Sequence, residues 1–285
     1  MLRLLVSPIR NSVWLSNQKQ IRKALLKIFR LIILGFTLGK GVKKNIGGAG
    51  HFRLDPHFIF YDYSAWGSQH NNGFAKALEM SKGKAIVFDV GAHIGLYSLP
   101  LSNCVQENGR IFAFEASDSN VKHLISHMRL NKVKNVEVVA SFVGESTNRE
   151  LTFYESESTD GMNSAATPRK RQERYKKRIM REICLDSFSK NRNVIPDVIK
   201  IDVEGAEGMV LRGSQKILEQ YRPVLFLSLH PRHLESLGET ADEVYDYLTD
   251  LNYQVFNMDG TPVTDFRLEE YLGVPVEHIK NLPLF

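Results

Sequence analysis

Two short stretches hold most of the residues able to do chemistry. The first is Asp89-Val90-Gly91-Ala92-His93-Ile94-Gly95, which closes an apolar run. Gly91 permits a sharp turn at the end of that run, and Gly95 lets a ligand or a neighbouring element come close to the backbone. The spacing is not the dinucleotide fingerprint G-x-G-x-x-G, because a single gap of four separates the two glycines, so the pyrophosphate cradle is missing. Twenty residues beyond Gly95, a second apolar run ends in Glu115. An acid there can accept hydrogen bonds from both hydroxyls of a ribose. Either feature alone is commonly a turn or a solvated side chain. Together, in this order, they predict a nucleoside site with room for a carboxylate-bearing tail, and they argue against a nicotinamide.

The second stretch, Asp202-Val203-Glu204-Gly205-Ala206-Glu207, supplies three carboxylates after another apolar run, and His230 ends a fifth. A carboxylate or imidazole within hydrogen-bond reach assists an alcohol that must shed its proton. Asp202 and His230 are the candidates for orientation and proton removal, with Glu204 beside them. The plainer reading of His230 is a buried, hydrogen-bonded histidine before Pro231. Glu207 reads as a first-turn acid favoured by a helix dipole. Hard cations take oxygen ligands, but no loop carries a complete coordination spacing, so no metal is predicted.

Elements of the right kind surround these residues. Ala85 to Val90, Arg110 to Glu115, Val136 to Ala140, Asp197 to Asp202, Val224 to His230 and Tyr253 to Phe256 are apolar, β-branched runs of strand length. Between them Leu96 to Val105, Ser119 to Leu130, Ala206 to Tyr221 and Ala241 to Asn252 carry helical periodicity. Such alternation predicts an α/β fold: a Rossmann-like, doubly wound, mostly parallel seven-stranded sheet with helices on both faces. Ligands of such sheets bind outside the carboxyl ends of the strands, where both stretches fall. The expected organisation is an N-terminal arm over 1–50, a lead-in over 51–82, the core over 83–258 with a polar and basic insertion at 155–182, and a C-terminal extension over 259–285.

At 43% hydrophobic and 24% charged, the 285 residues form a globular body, not a disordered one. Cys104 and Cys184 have no metal-ligand spacing around them and suggest neither zinc nor a disulfide, which fits a reducing, cytoplasmic setting. The net charge of +5 conceals an asymmetry, because eleven Lys/Arg and no acid precede Asp55. The remainder has 26 Lys/Arg against 32 Asp/Glu and is acidic, so no nucleic-acid partner is expected of the body. In the arm, Ile21, Ala24, Leu25, Ile28, Leu31 and Ile32 alternate with Arg22, Lys23, Lys27 and Arg30, a basic amphipathic helix. The apolar run is too short to span a bilayer. Three uses stay open: peripheral membrane contact through residues 20–40, packing on the protein's own core, or a targeting peptide. Ser158 to Ser164 is small and polar, suited to a hydroxyl-rich ligand. Arg169 to Arg181, with eight Lys/Arg, reads as contact with an anionic acceptor or as a solvated helix face.

Four segments resemble the FkbM-type methyltransferases, a branch of the class I S-adenosylmethionine-dependent enzymes. They are Val87 to Ser98, Phe112-Ala113-Phe114-Glu115, Ile183-Cys184-Leu185-Asp186, and Ile199 to Glu207 with Val210-Leu211-Arg212-Gly213, within roughly residues 83–230. The resemblance implies S-adenosyl-L-methionine as cosubstrate, with Asp89, Gly91, Ala92, His93 and Gly95 around its methionine portion and Asp202 close by. It further implies Glu115 on the ribose and Ser141 and Phe142 near the adenine. His93 stands where the family usually has Asn, and Leu227-Ser228-Leu229-His230-Pro231 replaces its acidic strand end. The expectation is an O-methyltransferase acting on a sugar hydroxyl of a glycan or glycolipid. The alternatives are a small secondary metabolite as acceptor, or a noncatalytic membrane-associated module of the same fold.

Overall fold

The computed structural model describes residues 39–68, 71–156, 164–165, 175–267 and 269–281, with Ile21, Ile28 and Gly35 singly. The amphipathic arm helix and most of Ser158 to Arg174 lie outside the described residues. Strands β1 (Val42–Asn45) and β2 (His51–Leu54) form an antiparallel hairpin, so the last part of the segment set apart as an arm is a strand. The hairpin turns at Gly47 and Gly48, both at positive φ. A 3-10 turn (Pro56–Phe58) and α1 (Phe74–Met80) complete the lead-in.

The core follows as β3 (Ile86–Val90), α2 (Ser98–Leu101), β4 (Arg110–Glu115), α3 (Asp118–Leu130) and β5 (Val136–Ala140). Next come β6 (Phe142–Val143), β7 (Glu150–Ser156), β8 (Tyr175–Ile183) and α4 (Leu185–Arg192). The rest is β9 (Val198–Ile201), α5 (Glu207–Arg212), α6 (Gln215–Gln220), β10 (Val224–Ser228), α7 (Pro231–Ser236), α8 (Ala241–Asp250), β11 (Tyr253–Phe256) and β12 (Glu270–Pro275). Seven strands form the central sheet in the order β11-β12-β10-β9-β3-β4-β5, the mostly parallel doubly wound arrangement the sequence predicts. β12 alone runs antiparallel to both neighbours.

Both faces of the sheet are buried, which is why its strands read as continuous apolar runs. Val87, Ile111, Val198 and Phe226 point into one core, and Phe88, Phe112, Ile199 and Leu225 into the other. Phe188 of α4 meets Phe88, Phe112 and Phe114 edge-on, tying the second helical layer to the middle of the sheet.

Two helices differ from the sequence expectation. The single helix expected over Ala206 to Tyr221 breaks at Gly213-Ser214, where the packing is so close that a Cβ on Gly213 would lie 2.1 Å from the Gly144 carbonyl oxygen. Both Asp186 carboxylate oxygens then accept from the backbone of Lys216 and Ile217 at 3.0 Å and start α6 afresh. The Leu96 to Val105 helix shortens to the four residues of α2. The described part of the basic run, Tyr175 to Arg181, is not a helix face but strand β8, paired along its length with β7. Among the described residues no helix is long and apolar enough to cross a membrane.

Candidate active site

The sheet order reverses at β3, whose neighbours are β4 and β9, and a cavity of about 950 Å³ opens at the carboxyl ends of these strands. Its wall is made by the turn after β3, by Glu115, by Ser141 and Phe142, by Asp202 and Glu204, and by His230. Gly91 occupies the reversal itself. Its φ is +78°, and a Cβ there would lie 1.8 Å from the Asp202 carbonyl oxygen, so only glycine lets the two strand ends close up. Ala92 and His93 continue the wall, His93 at φ +53° with its backbone N–H donating to Glu115 Oε2 at 2.8 Å.

Glu115 is 7% exposed and accepts further hydrogen bonds from the Ser117 N–H at 2.8 Å and the Asn120 amide at 3.4 Å. Burial pushes its carboxyl up, and these donors offset part of the rise. The carboxylate is thus held in one orientation at the cavity wall, as a group that must grip a ligand hydroxyl requires. Ser141, whose N–H donates to the Glu115 carbonyl, and buried Phe142 flank it.

Two expected contacts lie behind the wall, not on it. Asp89 is fully buried, accepts from Ser98 Oγ at 2.5 Å and pairs with Lys200 Nζ at 3.3 Å. Gly95 faces α3, where a Cβ would lie 2.7 Å from Leu124 and 3.0 Å from Met128. Its lack of a side chain serves helix packing.

Lys200 was not among the expected site residues. Its ammonium donates to the Gly91 carbonyl at 2.9 Å, lies 3.6 Å from Asp202 and stands over the Tyr97 ring. Burial alone would pull its pKa down, but Asp89 and Asp202 outweigh burial and hold it above the usual lysine range. The ammonium therefore fastens the glycine turn to β9. The signal was available, because Lys200 is the one charge in the run Val198-Ile199-Lys200-Ile201.

Asp202, Glu204 and His230 come together. His230 Nδ1 is 2.8 Å from Glu207 Oε1, while Nε2 is 3.6 Å from Glu204 and 3.9 Å from Asp202. Glu207 opens the short α5, as expected, but it is fully buried, and its Oε1 meets both the imidazole and the Gly205 N–H. Desolvation would lower the His230 pKa, yet Glu207, Glu204 and Asp202 together raise it to about 9. The Glu204 carboxylate also lies 3.1 Å from His233 Nδ1, and its backbone carbonyl accepts from Ser164 Oγ at 2.5 Å. Ser164, the described end of the small polar stretch, thereby reaches the site.

Two further parts were not foreseen. Tyr61, Tyr63 and Trp66 of the lead-in line the cavity with Asn71 and Asn72 beside them. Glu270, from the segment set apart as a C-terminal extension, enters on β12 opposite Ser228 in register. It accepts from Ser228 Oγ at 3.0 Å, Tyr97 OH at 3.1 Å and the Gly73 N–H at 2.5 Å. Glu270 thus places an acid beside the end of β10, on the cavity wall.

The sequence profile of the family described as "Methyltransferase FkbM domain" matches residues 89–255. No curated protein matches the chain. Among solved structures, an FkbM methyltransferase from Methylobacillus flagellatus KT is 19% identical over 68% of this chain and 44% of its own, with a TM-score of 0.42. This chain thus spans less than half the length of that protein. A precorrin-6y C5,15-methyltransferase from Geobacter metallireducens GS-15 is 15% identical over 78% of this chain and 91% of its own (TM-score 0.41). An rRNA methylase from Streptococcus thermophilus is 11% identical over 71% and 92% respectively (TM-score 0.40). At these values none of the three speaks to the acceptor.

Proposed function

The chain belongs to the FkbM methyltransferase family, and from that premise we propose that it methylates a sugar hydroxyl carried by a glycan or glycolipid. The methyl donor is S-adenosyl-L-methionine, which supplies an electrophilic methyl group on a sulfonium. The residues present fit it: an oriented carboxylate at Glu115 for the ribose, Ser141 and Phe142 for the adenine, and the backbone from Gly91 to His93 with Asp202 for the amino-acid portion.

The observation that carries the oxygen-acceptor reading is the placement of His230. Glu207 engages Nδ1, which assigns the N–H to that nitrogen when the ring is neutral and leaves the Nε2 lone pair as the base. Among the described residues no carboxylate is within hydrogen-bond distance of Nε2, so an acceptor hydroxyl can take that place, with Asp202 orienting it. Much of the acceleration of an in-line displacement comes from such alignment. In the free protein His230 is held protonated at neutral pH by its three carboxylates. A cation bound in the cavity competes for the same acids and draws the imidazole back toward its basic form.

A carbohydrate acceptor is supported by the opposite wall. Tyr61, Tyr63 and Trp66 offer flat apolar faces, and Asn71 and Asn72 offer amides that both donate and accept. Among the described residues Glu115, Asp202, Glu204, Glu269 and Glu270 line the cavity against one lysine, Lys200, a balance that disfavours a polyanion such as nucleic acid. A lipid-linked sugar would also give the basic segment 20–40 a purpose at an anionic membrane surface.

Labelled-methyl transfer into a cell extract tests the proposal. Acid-stable label recovered as an O-methyl monosaccharide supports it, and label confined to nucleic acid, protein or nitrogen-containing small molecules refutes it.

A further inference from the structure

We propose that Asp55, His123 and His127 form a binding site for a divalent ion of the zinc class, separate from the active-site cavity and attached to its glycine turn. His123 and His127 lie one helical turn apart on the same face of α3. Asp55, the N-cap of the 3-10 turn, faces them. One ligand atom from each of the three lies within 4.8 Å of the others.

Each ligand is oriented from behind. Asp55 Oδ1 accepts from the His57 N–H at 3.0 Å, which leaves Oδ2 toward the histidines. His127 Nδ1 donates to the Ile94 carbonyl at 2.8 Å, so the Nε2 of the neutral ring carries the lone pair. That nitrogen is fully buried and has no hydrogen-bond partner among the described residues, which is unfavourable unless something binds it. A histidine whose far nitrogen donates to a backbone carbonyl while the near one faces a second imidazole and a carboxylate is the arrangement that supports metal ligation.

The donor set selects the ion. Two imidazoles and one carboxylate suit Zn²⁺ or Co²⁺ better than Ca²⁺ or Mg²⁺, with a fourth position for water on the partly exposed side of Asp55 and His123. Bonds of about 2.0–2.1 Å in tetrahedral geometry separate ligand atoms by roughly 3.3 Å. His127 Nε2 and Asp55 Oδ2 are already 3.4 Å apart. His123 Nδ1, now at 2.5 Å in a hydrogen bond to the same oxygen, must move out by roughly 0.8 Å, which its partial exposure allows. Ligation would join the 3-10 turn to α3, and through Ile94 to the turn bearing His93, whose N–H holds Glu115.

Untagged full-length protein, stripped with a chelator and titrated calorimetrically with Zn²⁺, tests the site. We expect a single equivalent bound with a Kd below about 1 µM, a raised Tm, and visible d–d bands with Co²⁺. His123→Gln and Asp55→Asn should each weaken binding by about 100-fold, whereas Glu204→Gln, aimed at the Asp202–Glu204–His230 cluster in the cavity, should leave it intact. X-ray absorption of zinc-loaded wild type needs no variant: two imidazole nitrogens and oxygen support the assignment. Failure to bind zinc below about 10 µM, a single imidazole, or binding lost in Glu204→Gln and kept in His123→Gln would each overturn it.

Discussion

Replacing Glu207 by glutamine should lower the pKa of His230 and weaken the fold most at low pH. The three carboxylates facing the imidazole raise it from 6.5 to about 9 against a desolvation that pulls the other way. At about 1.4 kcal/mol for each tenfold change in proton affinity, that rise corresponds to roughly 3 kcal/mol of preference for the imidazolium. Glu207 makes the shortest of the three contacts, 2.8 Å against 3.6 and 3.9 Å, so we assign it about half of that, roughly 1–2 kcal/mol. The folded-state pKa is raised, so the stabilisation is fully present below pH 6.5 and is lost as pH rises through about 9. Glu207→Gln should therefore lose about 3–7 °C in Tm near pH 6 and little near pH 10. The imidazole resonance of His230, identified by its disappearance in His230→Gln, should titrate near 9 in the wild type and at least about one unit lower in the variant. A wild-type value at or below 6.5, or identical titrations, would refute the account of how this histidine is held.

Glu115→Gln should weaken S-adenosylmethionine binding by about 10–100-fold in calorimetry, the loss of a charge-assisted grip worth about 1.5–3 kcal/mol; equal affinity would remove the ribose assignment. Gly91→Ala meets both a φ of +78° and a backbone oxygen 1.8 Å away, so it should cost more than about 3 kcal/mol. Gly83→Ala, at φ +70° in open space, should cost only about 1 kcal/mol, and comparable losses in denaturant midpoints would contradict that reading. Lys200→Met leaves Asp89 buried and uncompensated, so we expect a loss of about 3–5 kcal/mol that Asp89→Asn partly restores in the double variant. Additive losses would show the pair to be energetically independent.

What the sequence made legible follows from range. The strands were clear because a strand buried on both faces advertises itself locally, and Arg110–Glu115 and Val136–Ala140 lie where their apolar runs place them. Glu115, Asp202, Glu204 and His230 could be found because each lies at or just after a strand end, where a doubly wound sheet gathers its ligands. The break at Gly213 was hidden because the contact made there, with the Gly144 carbonyl, comes from a distant segment. Asp89 and Gly95 showed a motif but not which side of the wall each would face. That was decided by Lys200 for one and by Leu124 and Met128 for the other. Nothing near Glu270 marks it as part of the site. Its meaning comes from register with Ser228 across an antiparallel pair, information that no local window contains.

The position of β12 has a consequence for biosynthesis. This strand is wedged between two that precede it in the chain, so during translation β10 presents an open edge until residues 270–275 have left the ribosome. Glu270 then bonds the Gly73 N–H across 197 residues, one of the most non-local links in the molecule, and non-local pairing is slow to form. Until then the nascent chain carries an aggregation-prone edge and lacks the part of the cavity wall that Glu270 supplies.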